Sequence, residues 1–298
     1  MTGAIRANKK YIVYIKRIYH FIKFFYSILL RNKFCLNKVH AKKNQVNLEW
    51  VDNGNLGDSL GPLIYRYMLR KKEISEDTLT KKAYHLFTCG SLIGVGTFDV
   101  VVWGSGIHIV PNIKNILSMK GIRKYDIRAV RGPVTRQILI DCGYWCPEIY
   151  GDPAIIMPLI YDEDGIEKKY DISVILHYYL KDNNVFRRDN CHYIDIGTTD
   201  YISFIKEIKS SKKVISSSLH GIIIAETYGV PAVFLNTGGY VDKALIKYYD
   251  WYYSTDRWTV KMAKSIDEAI AMEPMPLPDL TEMREKLMDV FPFDLWEK

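Results

Sequence analysis

Three consecutive serines and a histidine just beyond them, Ser216, Ser217, Ser218 and His220, are the residues of this chain best placed to do chemistry. An imidazole titrates near neutrality and can give or take a proton. Hydroxyls beside a helix start, where backbone N–H groups are unpaired and the dipole is positive, suit an anion. The surrounding segment 213–236 reads as strand, turn, helix, strand. Val214 and Ile215 lead into the serines, residues 219–228 have helical spacing, and 230–235 return apolar and β-branched. A βαβ unit of this kind puts its turn at the carboxyl edge of a parallel sheet, where open α/β sheets bind ligands. Two readings follow: either the cluster holds an anionic ligand beside a proton donor, or the serines cap the helix and His220 is a polar residue of its first turn.

Two more corners of the same kind lie upstream. A strand over 48–51 runs into Asn53, Asn55, Gly57 and Asp58, with Asp58 or Ser59 expected to cap the helix that follows. Asn53, Asn55 and Asp58 can hydrogen-bond sugar hydroxyls or accept a proton there, or can bond only the local backbone of the turn. A strand over 127–130 ends at Arg131-Gly132-Pro133. Pro133 suits a first helical position, and Gly143 suits the position past the end of a helix over 134–142. Arg131 can clamp a carboxylate or phosphate in bidentate fashion, or form a structural salt bridge.

The elements that must position these corners alternate strand and helix in both halves of the chain, with further strands expected at 84–88, 100–103, 172–177 and 193–196 and helices at 201–210, 267–271 and 280–290. The alternation predicts two α/β, Rossmann-like domains facing a cleft. At 298 residues the chain can bury two cores. The polar stretch 161–170 serves as the linker, giving domains at 46–165 and 166–275 and a C-terminal helix within 276–298.

Residues 1–45 form a separate basic arm: they hold eleven Lys and Arg and no Asp or Glu, which leaves 30 basic against 34 acidic residues in the rest. A mildly acidic body argues against nucleic-acid binding. In the arm, Lys9, Lys16, His20, Lys23 and Arg31 fall on one helical stripe and Ile12, Ile15, Tyr19, Ile22, Phe25 and Leu29 on the opposite one. Charges interrupt the apolar run too often for a transmembrane span or a secretory signal. The arm is expected to lie on an anionic membrane surface, which would make the protein cytoplasmic and peripheral at the inner face. The five scattered cysteines fit a reducing compartment and show no zinc spacing.

Taken in order, the corners resemble the polysaccharide pyruvyl transferase family. The resemblance rests on Asn55-Leu56-Gly57-Asp58-Ser59-Leu60 (N-x-G-D-x-L), Arg128-Ala129-Val130-Arg131-Gly132-Pro133 (R-x-x-R-G-P), Gly151-Asp152-Pro153-Ala154, and residues 216–231 (S-S-x-L-H-G with a later G-V-P). Ser218 departs from the arginine that many members carry before L-H-G. His177 resembles a histidine that part of the family has after the second domain's first strand.

The resemblance implies a fold like the two-domain B-type glycosyltransferases and transfer of pyruvate from phosphoenolpyruvate onto a sugar as a ketal. The acceptor expected is a surface polysaccharide or lipid-linked oligosaccharide. His220 would be the acid, Asp58 a base or acceptor ligand, Arg131, Ser216, Ser217, Ser218 and His177 the donor contacts, and Asn55 and Asp152 the acceptor contacts, with Asp152 a second possible base. No metal or cofactor is expected, because phosphoenolpyruvate is a co-substrate. Two alternatives are a glycosyltransferase of similar architecture using a nucleotide sugar, and a non-catalytic, membrane-docked glycan-binding protein.

Overall fold

The computed structural model describes residues 18, 19, 22, 42, 44–96, 98–121, 123–180 and 182–297. Of residues 1–45 it describes Ile18, Tyr19 and Ile22, all helical and exposed, and Lys42, Asn44 and Gln45, which lie outside any helix. The two-stripe reading of the arm, with its membrane contact, therefore falls outside the described residues. No helix among the described residues is long and apolar enough to cross a membrane.

The first sheet has four parallel strands in the order β1 (Val46–Glu49), β2 (Tyr84–Phe87), β3 (Val100–Trp103) and β4 (Tyr125–Ala129). Helix α1 (Leu56–Arg70) follows β1, α2 (Val110–Ser118) precedes β4, and α3 (Pro133–Asp141) follows it. The second sheet is also all parallel, in the order β6 (His192–Tyr193), β5 (Tyr170–Ile175), β7 (Ser211–Ser216), β8 (Ala232–Leu235) and β9 (Met262–Ala263). Its helices are α4 (Tyr201–Lys209), α5 (Leu219–Thr227), α6 (Tyr240–Lys243), α7 (Leu245–Ser254) and α8 (Ile266–Ala271), and α9 (Thr281–Asp289) comes last.

The expected α/β class with parallel sheets is what the chain adopts. Strands made of consecutive apolar residues, such as Val100–Trp103, are buried along their whole length, as parallel strands covered on both faces must be. Three local readings change. Helix α1 opens at Leu56 with Asn55 in the capping position, ahead of the Asp58 or Ser59 cap expected, so Asp58 lies in the first turn. The strand expected over 193–196 is only His192–Tyr193. Helices α2, α6 and α7 were not foreseen, although α2 carries apolar residues at Val110, Ile113 and Leu117 and a proline in its first turn.

Three apolar clusters make the core. One lies on the first sheet around Phe87, Val102 and Ile127, and another on the second around Val174, Ile215 and Val233. The largest runs between the sheets, joining Leu60, Ile64 and Trp103 to Ile175, Ile222, Phe234 and Trp251. Helix α5 is buried nearly all round, as a helix packed inside such a cluster must be. The α1 start is tied to the second half directly: the Leu56 N–H donates to the Ile196 carbonyl at 2.9 Å. The carboxyl-edge loops of both sheets thereby converge on one cavity.

Candidate functional site

The cavity has a volume of about 470 Å³ and is lined from the first half by Asn55, Asp58, Ser91, His108 and Arg131, and from the second by His177, Tyr179, Ser218, His220, Tyr240 and Lys247. Small-molecule sites typically measure about 300–1,000 Å³.

The β7–α5 corner is held by its own serines. Ser216 Oγ accepts from the Ser218 N–H at 3.0 Å and lies 3.0 Å from the Ile175 carbonyl oxygen. Ser217 Oγ accepts from the His177 N–H at 2.8 Å, and its carbonyl accepts from the Tyr248 hydroxyl at 2.6 Å. Both side chains are fully buried and do not line the cavity. Ser216 and Ser217, expected as donor contacts, instead brace the turn: both are buried, bond backbone groups and lie outside the cavity lining. Ser218 is the serine that reaches the cavity; it occupies the N-cap position but makes no side-chain cap bond. Gly221 is required because a Cβ there would come within 2.4 Å of Ser216 Oγ.

His220 is 8 % exposed and clamped on two sides. Its Nε2 faces Asp152 Oδ2 at 3.6 Å, and neither atom has a hydrogen-bond partner. A Cβ on Gly57 would fall 1.9 Å from Nδ1, so only glycine lets the imidazole sit against the α1 start. Asp152 is fully buried behind the histidine, where its Oδ1 accepts from the Ala154 N–H at 3.1 Å. Burial alone would push its carboxyl up, but His220, Arg131 and the Ala154 N–H together hold it below the ordinary carboxylate range. Asp152 does not line the cavity, which corrects its expected place as an acceptor contact: it faces the imidazole instead.

Arg131 is 1 % exposed. Its Nη1 donates to Ser91 Oγ at 2.8 Å and its Nη2 to the Ile107 carbonyl at 3.0 Å. Nε lies 3.2 Å from Asp250 Oδ2 on α7. Arg131 thus forms the structural ion pair, and its guanidinium is also part of the cavity wall. Asp250 is saturated, accepting from the Thr135 N–H at 2.8 Å and the Thr135 hydroxyl at 2.7 Å. Burial still pushes its carboxyl above the ordinary range, against the pull of Arg131 and Thr135.

On the opposite wall Asp58 accepts from Asn55 Nδ2 at 2.9 Å, so part of the Asn55 amide is already committed to Asp58. Burial raises the Asp58 carboxyl above its usual range, against the attraction of His220 and Lys247. His177 lines the cavity, but burial and the nearby Lys247 pull it down to about 3, so it is a neutral imidazole that adds no charge for a donor anion.

Lys247, His108 and Tyr240 escaped the sequence reading. The Tyr240 hydroxyl and His108 Nε2 lie 2.7 Å apart, a hydrogen bond that crosses from the second half to the first. His108 is held at about 3 by burial, then by Lys247 and Arg131. Only its closeness to the glycine turn after β3 could have marked His108, and nothing local marks Lys247. Among the described residues no group of His, Cys, Asp and Glu is placed to hold a metal ion.

A model of the polysaccharide pyruvyl transferase family matches residues 7–239. The chain is 27 % identical over 228 residues to the uncharacterized protein L143 of Acanthamoeba polyphaga mimivirus, covering 72 % of this chain and 75 % of the viral protein. It is 25 % identical over 217 residues to the succinoglycan biosynthesis protein ExoV of Rhizobium meliloti strain 1021, covering 67 % of this chain and 61 % of that protein.

Proposed function

The chain belongs to the polysaccharide pyruvyl transferase family, and from that premise we propose that it transfers a pyruvyl group from phosphoenolpyruvate to two hydroxyls of one sugar, forming a ketal and releasing phosphate. The observation that carries this reading is the His220–Asp152 pair, buried at the inner wall of a cavity that Arg131 and Asp58 also line.

In this mechanism the His220 imidazolium gives its proton to the methylene carbon of phosphoenolpyruvate. The C=C π bond breaks, C2 becomes electrophilic, and the Asp152 carboxylate stabilises the cation before transfer. A sugar hydroxyl attacks C2, its proton passing to the Asp58 carboxylate, whose hold on a proton burial strengthens. The C2–O bond to phosphate then breaks, and a second hydroxyl attacks C2 to close the ketal. One hydroxyl proton restores His220 and the other leaves with phosphate. Arg131 holds the anionic donor, and Asn55, bonded to Asp58, meets the acceptor.

A family named for polysaccharide and a relative named for succinoglycan biosynthesis favour a glycan acceptor, either polysaccharide or lipid-linked. A cytoplasmic protein docked at the inner membrane face through the basic arm fits a lipid-linked acceptor. The two parallel sheets meeting at one cavity favour the B-type glycosyltransferase arrangement.

The test is to incubate purified protein with phosphoenolpyruvate and a panel of polysaccharides and lipid-linked oligosaccharides. Free phosphate should appear together with the added mass of one pyruvyl group on the glycan. Release of a nucleoside diphosphate from a nucleotide sugar would establish the glycosyltransferase alternative, and glycan binding without turnover the non-catalytic one.

A further inference from the structure

Lys247 is 9 % exposed and lines the cavity from α7, a helix that lies beyond the family match. Its stem runs past the Tyr248 and Tyr240 rings, with Nζ 5.2 and 5.8 Å from their centroids. No carboxylate among the described residues forms a salt bridge with it. The other cation on this wall, Arg131, already faces Asp250 at 3.2 Å. A buried ammonium without a counter-ion is costly to maintain, so its place in a wall calls for an anion from outside.

We propose that Lys247 is the second cationic ligand of the donor subsite, gripping the phosphate or carboxylate of phosphoenolpyruvate together with Arg131. This rests on the proposed donor chemistry.

The charge arithmetic supports it. A trianion opposed only by the His220 imidazolium and an arginine already paired with Asp250 would stay largely unneutralised. The groups facing Lys247 are Arg131 from the end of β4, Asp58 from α1, His108 and His177 from the loops after β3 and β5, Tyr240 from α6 and Tyr248 on its own helix. Both imidazoles are held neutral, and Asp58 attracts Lys247 without pairing with it. Burial and Arg131 pull the empty-site ammonium down to about 7. Near neutral pH the free protein therefore holds Lys247 partly deprotonated, and a bound anion restores the full charge. Arginine at this position would bind an anion with no such uptake, being always charged.

Titration calorimetry near neutral pH, in two buffers of different ionisation enthalpy, measures affinity and proton uptake together for phosphoenolpyruvate and for inorganic phosphate. Wild-type protein should take up a fraction of a proton on binding phosphoenolpyruvate. Lys247→Met should fold, since it removes an unpaired buried charge, should bind about tenfold or more weakly, and should show no uptake. Lys247→Arg should recover affinity, again without uptake. Wild-type affinity or persistent uptake in Lys247→Met overturns the role of Lys247 and leaves the donor assignment standing. Uptake that depends on Lys247 with inorganic phosphate but no binding of phosphoenolpyruvate overturns the donor and leaves an anion site. Binding of neither probe to wild type overturns both.

Discussion

Arg131 and His220 each stand at a corner where a parallel strand gives way to a helix, and each finds its carboxylate in the half of the chain built on the other sheet. Arg131 meets Asp250 from α7, and His220 meets Asp152 from the loop beyond β4. The pairs differ in how completely they are finished. Asp250 has both oxygens filled by Thr135 and lies 3.2 Å from the guanidinium. Asp152 has one oxygen filled, and the other stops at 3.6 Å from an imidazole nitrogen that has no other partner. A buried polar pair left short of contact is a source of instability in a structural element, but in a site it leaves a group able to change its protonation state. The first pair therefore reads as a clasp between halves, and the second is the pair on which the proposed proton transfer rests.

The largest effect expected from breaking this contrast is on the clasp. Asp250→Ala strands a buried guanidinium and should cost about 3–5 kcal/mol of stability, measured by denaturant unfolding. A cost within the range of an ordinary surface substitution would show that Arg131 is not locked. On the other side, His220→Ala and His220→Asn should each lower turnover by about 10²- to 10⁴-fold with melting temperatures near wild type. Asn activity close to wild type would reduce His220 to a positioning group.

A smaller effect comes from the clamp. Gly57→Ala adds a methyl where the imidazole lies and should cost about 1–3 kcal/mol, with turnover falling while phosphoenolpyruvate still binds. Unchanged turnover would show that the ring has room to move. The smallest effect is on pH dependence. Asp152 is held below its ordinary pKa in the folded protein, so its contribution to stability is present above the unfolded carboxylate value and fades as pH falls through the folded one. The stability difference between wild type and Asp152→Asn should shrink on acidification below about pH 4. A difference that grows there would reverse the assigned direction.

Much of this was legible from residue order. Pro133 and Gly143 bracket α3 for reasons of backbone geometry alone, and Val100–Trp103 could be read because a buried parallel strand leaves a continuous apolar run. The corners were legible too, and with them the cavity roles proposed for Asn55, Asp58, Arg131, Ser218 and His220. What could not be read is which way a side chain turns once the corner is made. Ser217 and Ser218 are adjacent and chemically identical, yet one bonds the His177 backbone and the other meets the cavity. Asp152 faces His220, a residue far away in sequence. Lys247 and Asp250 sit in a tyrosine-rich stretch with no stop or start signal, and their partners are set by the packing of α7 against α3.

The last segment of the chain has a consequence for the order of assembly. Trp103, at the centre of the first sheet, donates its indole N–H to the Leu287 carbonyl at 2.7 Å, Arg284 donates to the Ile155 carbonyl at 2.7 Å, and Arg128 holds Asp294 through both guanidinium nitrogens. The half of the protein that a ribosome makes first thus waits for residues made much later. Until residues 284–294 emerge, Trp103 has no partner for its N–H, and the nascent first sheet stands open along one side. The protein should therefore lean on chaperones late in translation, and a stop codon that removes only α9 and the residues after it should damage the first sheet more than the second.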